Sequence, residues 1–429
     1  MPIRCLTVLA LAALASCRGA SPPDSRFVAQ WIHASRAFEV TGSLPTPDAA
    51  RVSAYAALAL YEGYAADPQS GLRSLAGQLN ALWKVPLKPE DAPVDGATVA
   101  AEAARVVLDS LHGAANDSLA NAQIARRRAS GVDADLSARS VAHGRALARV
   151  ILTWAADDGF LATRGRSWTP PTARAQWTAT DAIEPHWGRL RTFALRNGDE
   201  CMPPPPPAYS ESRGSQFWKM GREVVDSVSS LTPEKRAAAL FWADSGRAGG
   251  GRVSHWLDIV DQAIRQRALS ADQAVEVYAL TAVAIADAVV GTWREKYRSL
   301  VVRPETYARR VFDVRWSSVV ATPTSPEYPA EQAVVAAAAA KILVGLLGDS
   351  LPFTDSTAGG GKARSFRGFT HARDEAAAAP IYSGLQFVPS AANGLAQGQC
   401  VGERVIGRLR TRPEVQLSGS TSRMPSPSR

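Results

Sequence analysis

From Phe27 to Asp158 the apolar positions recur every three to four residues, the period of helices that bury one face. Val28, Trp31 and Ile32 open one such helix. The start signal Pro45-Thr46-Pro47-Asp48 leads into another over residues 49–64, and the period returns over 99–111 and 136–155. Asn116-Asp117 and Gly131-Val132-Asp133 punctuate these runs as turns. The period is lost from Gly159 to Pro207. That stretch holds Trp168-Thr169-Pro170-Pro171, Pro185-His186-Trp187-Gly188 and the prolines 203–207. Proline blocks helix and removes donors, so a polyproline-like strap is expected, packed down by its tryptophans. Helical patterning resumes over 210–230 and 232–243. Ser270-Ala271-Asp272-Gln273 is a capping box for a helix over 271–296, apolar on nearly all sides and therefore central. Asp287 interrupts it and, buried, needs a partner, either structural or beside a site. A second apolar helix over 331–347 is stopped by Gly348. A last helix over 391–410 carries Gly394, Gly398 and Gly402 at four-residue spacing, which permits close helix contact.

The pattern divides the chain into a leader (1–17), an N-terminal helical bundle (22–158), the strap (159–207), a C-terminal helical bundle (208–411) and a polar, Ser- and Pro-rich tail expected to be disordered (412–429). The fold class expected is all-α, two bundles packed together, and a composition of 46% hydrophobic and 21% charged residues supports a large core. Neither apolar helix is free of polar interruptions for long enough to read as membrane-spanning. The net charge of +8 does not point to nucleic acid, because the arginines are scattered and no basic stripe alternates with aromatics. Gly359 to Gly361 lack the preceding strand and the Gly-Lys-Ser/Thr ending of a phosphate loop.

Arg4 precedes the short apolar run 6–14, which ends in Leu14-Ala15-Ser16-Cys17. This has the form of a bacterial lipoprotein leader with Cys17 as the lipidated residue; a plain secretory leader cut nearby is the alternative. Either makes the mature protein exported, to the bacterial envelope facing the periplasm or cell exterior, with a lipid anchor as its membrane contact. Cys201 and Cys400 then remain in an oxidising compartment and are candidates for a disulfide.

Candidate chemistry starts at Lys296, followed after six residues by Arg303-Pro304. A guanidinium fork and a point ammonium together suit a tetrahedral oxyanion, although two solvated cations at a helix end would give the same spacing. His143, alone on a helical stretch, reads as packed or solvated; His255 reads as packed against tryptophan, with a donor role near the pocket as the alternative. Downstream come Pro326-Glu327-Tyr328-Pro329-Ala330-Glu331-Gln332 and Ala379-Pro380-Ile381-Tyr382-Ser383-Gly384-Leu385-Gln386-Phe387, the latter placed after a helix. In order and spacing the three stretches resemble the signature of the vanadium-dependent haloperoxidase and type-2 phosphatidic acid phosphatase superfamily: Lys-x6-Arg-Pro, Pro-Ser-Gly-His, then Ser-Arg-x3-Gly-x-His. The likeness is to the soluble bacterial haloperoxidase-like branch, whose Trp- and Pro-rich segments the strap is also similar to.

The resemblance implies that Lys296, Arg303 and Gly384 stand at anion-holding positions, with Pro304 and Pro329 also matching. Ala330 stands for the serine, Glu331 for the glycine and Gln332 for the acid–base histidine. Ala379-Pro380 replace Ser-Arg, and Gln386 replaces the histidine that bonds phosphorus or vanadium. An amide nitrogen has no basic lone pair, so neither glutamine can do a histidine's work. Pro380 brings no guanidinium, and Glu331 brings an anion to an anion site. Glu331 is therefore expected to pair with Lys296 or Arg303. The reading is a vestigial pocket in a binding or structural module, with no metal site and no cofactor; the alternative is residual vanadium-dependent haloperoxidase or acid phosphatase activity, with vanadate. The partner expected is a small molecule or an envelope protein.

Overall fold

Ser270 caps the helix Ala271–Ser299 through the expected capping box, its backbone N–H donating to Gln273 Oε1 at 3.1 Å. The computed structural model describes residues 21, 23–40, 44–86, 92–113, 116–243, 251–356 and 363–413. The leader with Cys17, glycines 246, 249, 250 and 359–361, and residues 414–429 of the expected tail lie outside them. The central helix is long and apolar enough to cross a membrane, yet 94% of its apolar window is buried inside the protein. It packs against Thr46–Ala65 on one side and Glu331–Leu347 on the other, so helices from before and after the strap share one buried cluster. Each fully buried Leu, Val or Ile in that cluster contributes roughly 1.5–3 kcal/mol.

The chain is all-α apart from one short antiparallel pair among the described residues, Phe353–Asp355 with Arg364–Phe366. Strands of three residues are too short to leave a period-two signal, so the sequence reads there only as loop. Gly96–His112, Ala134–Ala156 and Glu331–Leu347 follow the sequence pattern closely. Two differences bear on the site. Arg303 is the N-cap of an unforeseen helix, Pro304–Val311, with proline at its first position. The stretch from Ala379 does not follow a helix but lies in the last turn of Phe369–Tyr382, with Pro380 inside it. Pro380 has no N–H to give the carbonyl four residues back, so one helical hydrogen bond is lost there.

The strap is irregular except for the short turns Phe160–Arg164 and Trp187–Arg189, and Trp177 and Trp187 are buried as expected. Asp287 is what holds it down. Its carboxylate accepts from the backbone N–H groups of Phe193 at 2.5 Å and of Ala194 and Leu195 at 2.8 Å, so its partner is the strap. Cys201 and Cys400 are bonded, tying the strap's end to the last helix, Val388–Arg408. That helix crosses the alanine-rich Glu331–Leu347 closely: a Cβ at Gly398 would lie 2.1 Å from the Val334 carbonyl.

Candidate functional site

Lys296 sits in the last turn of the central helix with no exposed surface, and its ammonium donates to the carbonyls of Pro326 at 2.7 Å and Glu327 at 3.4 Å. Arg303, equally buried, donates from Nε to the Ser325 carbonyl at 2.8 Å and from its two terminal nitrogens to Ser325 Oγ at 3.0 Å and the Leu385 carbonyl at 3.2 Å. The irregular stretch before Pro329 thus wraps both cations with its own backbone. Its Glu327 carboxylate is fully buried and accepts from the Phe387 N–H and Ser390 Oγ, both at 2.8 Å. Gln386 closes the group. With its amide oriented by its neighbours, it donates to Glu327 Oε1 and to the Glu327 carbonyl and accepts from Arg303, each at 2.7 Å.

Glu331 begins the alanine-rich helix, and its Oε2 lies 3.5 Å from an Arg252 terminal nitrogen. Its Oε1, and Arg252 Nε, are buried without a hydrogen-bond partner among the described residues. Gln332 donates to the Trp242 carbonyl at 2.9 Å. The Trp242 ring stacks on His255 with centroids 4.4 Å apart, and His255 Nε2 lies 2.6 Å from the Asp355 carboxylate. Gly384 has φ +76°, and a Cβ there would lie 2.8 Å from the Trp316 ring, so the turn requires glycine. Pro380 contributes its carbonyl, which accepts from the Leu385 N–H at 2.8 Å. Ala330, fully buried, has no side-chain donor to offer.

Burial governs the electrostatics. It pushes Lys296 well below the ordinary lysine value, with repulsion from Arg303 adding to it, and lowers Arg303 to about 10. Burial likewise pushes Glu327 up to about 7, against the bonds from Phe387 and Ser390. An oxyanion entering this group would meet a carboxylate already seated among the cations, and cation donors already turned to backbone carbonyls. It would also find the Gln386 amide, which offers no basic nitrogen.

The structure brings Lys296, Arg303, Glu327 and Gln386 into one contact group, and places Glu331 and Gln332 at the start of the helix that follows. The expected pairing of Glu331 with Lys296 or Arg303 is not found. The carboxylate of Glu331 lies nearest Arg252 and acts on Lys296 and Arg303 only through space, and Glu327, two residues before Pro329, is the acid joined to Arg303 through Gln386. Sequence reasoning therefore missed two charged members. Glu327 stood inside the quoted Pro-Glu-Tyr-Pro, while Arg252 follows a glycine-rich loop with no spacing signal to mark it. Among the described residues, no three of His, Cys, Asp and Glu are grouped to hold a metal ion.

The family model of the VCPO second helical-bundle domain matches residues 276–413, which contain all three stretches. The crystal structure of the first bacterial vanadium-dependent iodoperoxidase is similar over 92% of this chain and 99% of that one, at 30% identity and a TM-score of 0.84. Holo- and apo-type structures of a bacterial vanadium-dependent chloroperoxidase, both 15% identical, share the fold with TM-scores of 0.67 and 0.65. The first match covers 90% of this chain and 97% of that one, the second 82% and 92%. No curated protein matches.

Proposed function

The chain belongs to the vanadium-dependent haloperoxidase superfamily, and on that premise we propose that it is a member whose oxyanion site has been rebuilt into an internal network, leaving a binding or structural module in place of a catalyst. The observation that carries the reading is Gln386, whose amide bridges Arg303 and Glu327 at the position of the residue that would bond phosphorus or vanadium. The residues present do not fit vanadate: no basic nitrogen faces the pocket from position 332 or 386, and Glu327 occupies the company of the cations. Loss of one oxyanion donor costs roughly a hundred- to a thousandfold in rate, and here Ala330 and Pro380 remove two.

The test is turnover of iodide or bromide with peroxide and orthovanadate, and of a phosphate monoester, by the unaltered protein. Background rates are expected throughout. Turnover that disappears in Lys296→Ala overturns the proposal. One observation favours residual activity as the second reading: Arg252 adds a third cation beside Lys296 and Arg303, the number the family signature offers.

We also propose that the protein is exported and lipid-anchored through Cys17. The Cys201–Cys400 disulfide supports an oxidising compartment, and the Leu-Ala-Ser-Cys box supports the anchor. Intact-mass analysis of membrane-fraction protein should show an acylated species beginning at Cys17, and a soluble product cut elsewhere would end this idea.

A further inference from the structure

Gly188 presses the strap onto the central helix so closely that a Cβ there would lie 2.3 Å from the Arg294 Cα. Beside that contact the two elements part, leaving a cleft of about 550 Å³ open to solvent. None of its lining residues belongs to the Lys296 group. One wall is aromatic. Trp168 from the strap stands edge-on to Tyr297, centroids 5.2 Å apart, and Trp293 lines the cleft nearby. Tyr297 and Trp293 are held in place, because both donate to the Ile183 carbonyl, at 2.6 Å and 3.2 Å. These rings are fixed surfaces, and a planar molecule stacking on them would order little that is not ordered already.

The other wall is cationic. Arg294 is paired with Asp199, and Arg298 with Glu295. Arg189 differs: its side chain is exposed and has no ion pair or hydrogen bond among the described residues. The Trp168 indole N–H is likewise without an acceptor among the described residues. The cleft thus holds two anchored rings, Tyr297 and Trp293, with Trp168 beside them, one uncommitted guanidinium and one unmet donor. Its one lining carboxylate, Asp199, is already taken by Arg294, so Arg189 and the indole N–H are left without an acceptor.

We propose that this cleft binds a planar aromatic carboxylate, its ring against Trp168 and Tyr297 and its carboxylate in the fork of Arg189, with the indole N–H reached by a small tilt of Trp168. The pairing of guanidinium with carboxylate supplies orientation, and the rings supply the buried area. The proposal does not depend on whether the oxyanion pocket turns over.

The experiment is calorimetric titration of the folded full chain with 2-naphthoate, and with 2-naphthalenemethanol as the uncharged counterpart. Saturable binding of 2-naphthoate is expected, weakened by salt. Replacing the carboxylate by the alcohol, or Arg189 by Glu, should each weaken it by roughly tenfold, the equivalent of one charge-assisted hydrogen bond. Trp168→Ala should weaken it as well, while excess phosphate should not displace it. Absence of saturable binding overturns the proposal, as does affinity unchanged in Arg189→Glu or displacement by phosphate, which would place the ligand in the oxyanion pocket. Should Trp168→Ala fail to fold, the surface variant Arg189→Glu decides alone.

Discussion

Gln386 and Glu327 carry the proposed rebuilding of the site. In the network, Gln386 can donate to the carboxylate and accept from Arg303 at the same time. A histidine in its place would add a basic nitrogen but would still face Glu327, so Gln386→His alone should leave halide oxidation at background. The minimum repair is Gln332→His, Pro380→Arg and Gln386→His together with Ala330→Ser and Glu331→Gly, assayed with vanadate and peroxide. Titration of Glu327 gives a sharper prediction. Its folded value is raised to about 7, so its share of stability is complete below the ordinary value near 4.5 and is lost as pH rises through about 7. Protonation also removes the anion that competes with an entering oxyanion. Sulfate, whose charge is constant over this range, should therefore bind more tightly at pH 6 than at pH 8, and Glu327→Gln should weaken that dependence; calorimetric titration at the two pH values checks both. Glu331→Gly should improve anion affinity as well, because it leaves Arg252 free, yet without any gain in turnover.

At the scale of elements, the central helix depends on its ends and on one acid in its middle. Ser270 and Gln273 start it, and Asp287 fastens the strap to it through three backbone N–H groups. Burial raises Asp287 to about 6. Its contribution is therefore complete below the unfolded value near 3.8 and lost as pH rises through about 6. Asp287→Asn, with one acceptor oxygen for three donors, should cost about 1.5–3 kcal/mol. The loss should be larger at pH 5 than at pH 8, read from urea midpoints. The crossing of the last helix over the alanine-rich one is equally specific. Gly398→Ala puts a methyl group against the Val334 carbonyl and should destabilise by about 1–3 kcal/mol through overpacking, measured by denaturant unfolding.

For the molecule as a whole, one buried cluster and one disulfide join what the strap separates. The bond spans 199 residues of sequence, so reducing it should lower stability by roughly 2–4 kcal/mol, seen as a shift of the unfolding midpoint with and without reductant. Much of this architecture was legible along the chain. Helical period, capping box, glycine spacing and proline run are local features, and local hydrogen bonding and sterics decide them before any long-range contact forms. The same holds for the residues on which the proposed loss of chemistry rests: that positions 332, 380 and 386 carry Gln, Pro and Gln is a matter of residue identity. The assignment of partners was not legible. Whether Glu327 or Glu331 joins the cations depends on the direction in which a helix start points a side chain, and on which backbone carbonyls fold back over Lys296 and Arg303. Arg252 comes from 44 residues before Lys296 in the chain, and nothing in its spacing announces the meeting. Charge pairing in a buried pocket is settled by distance and desolvation, and both exist only once the chain has folded.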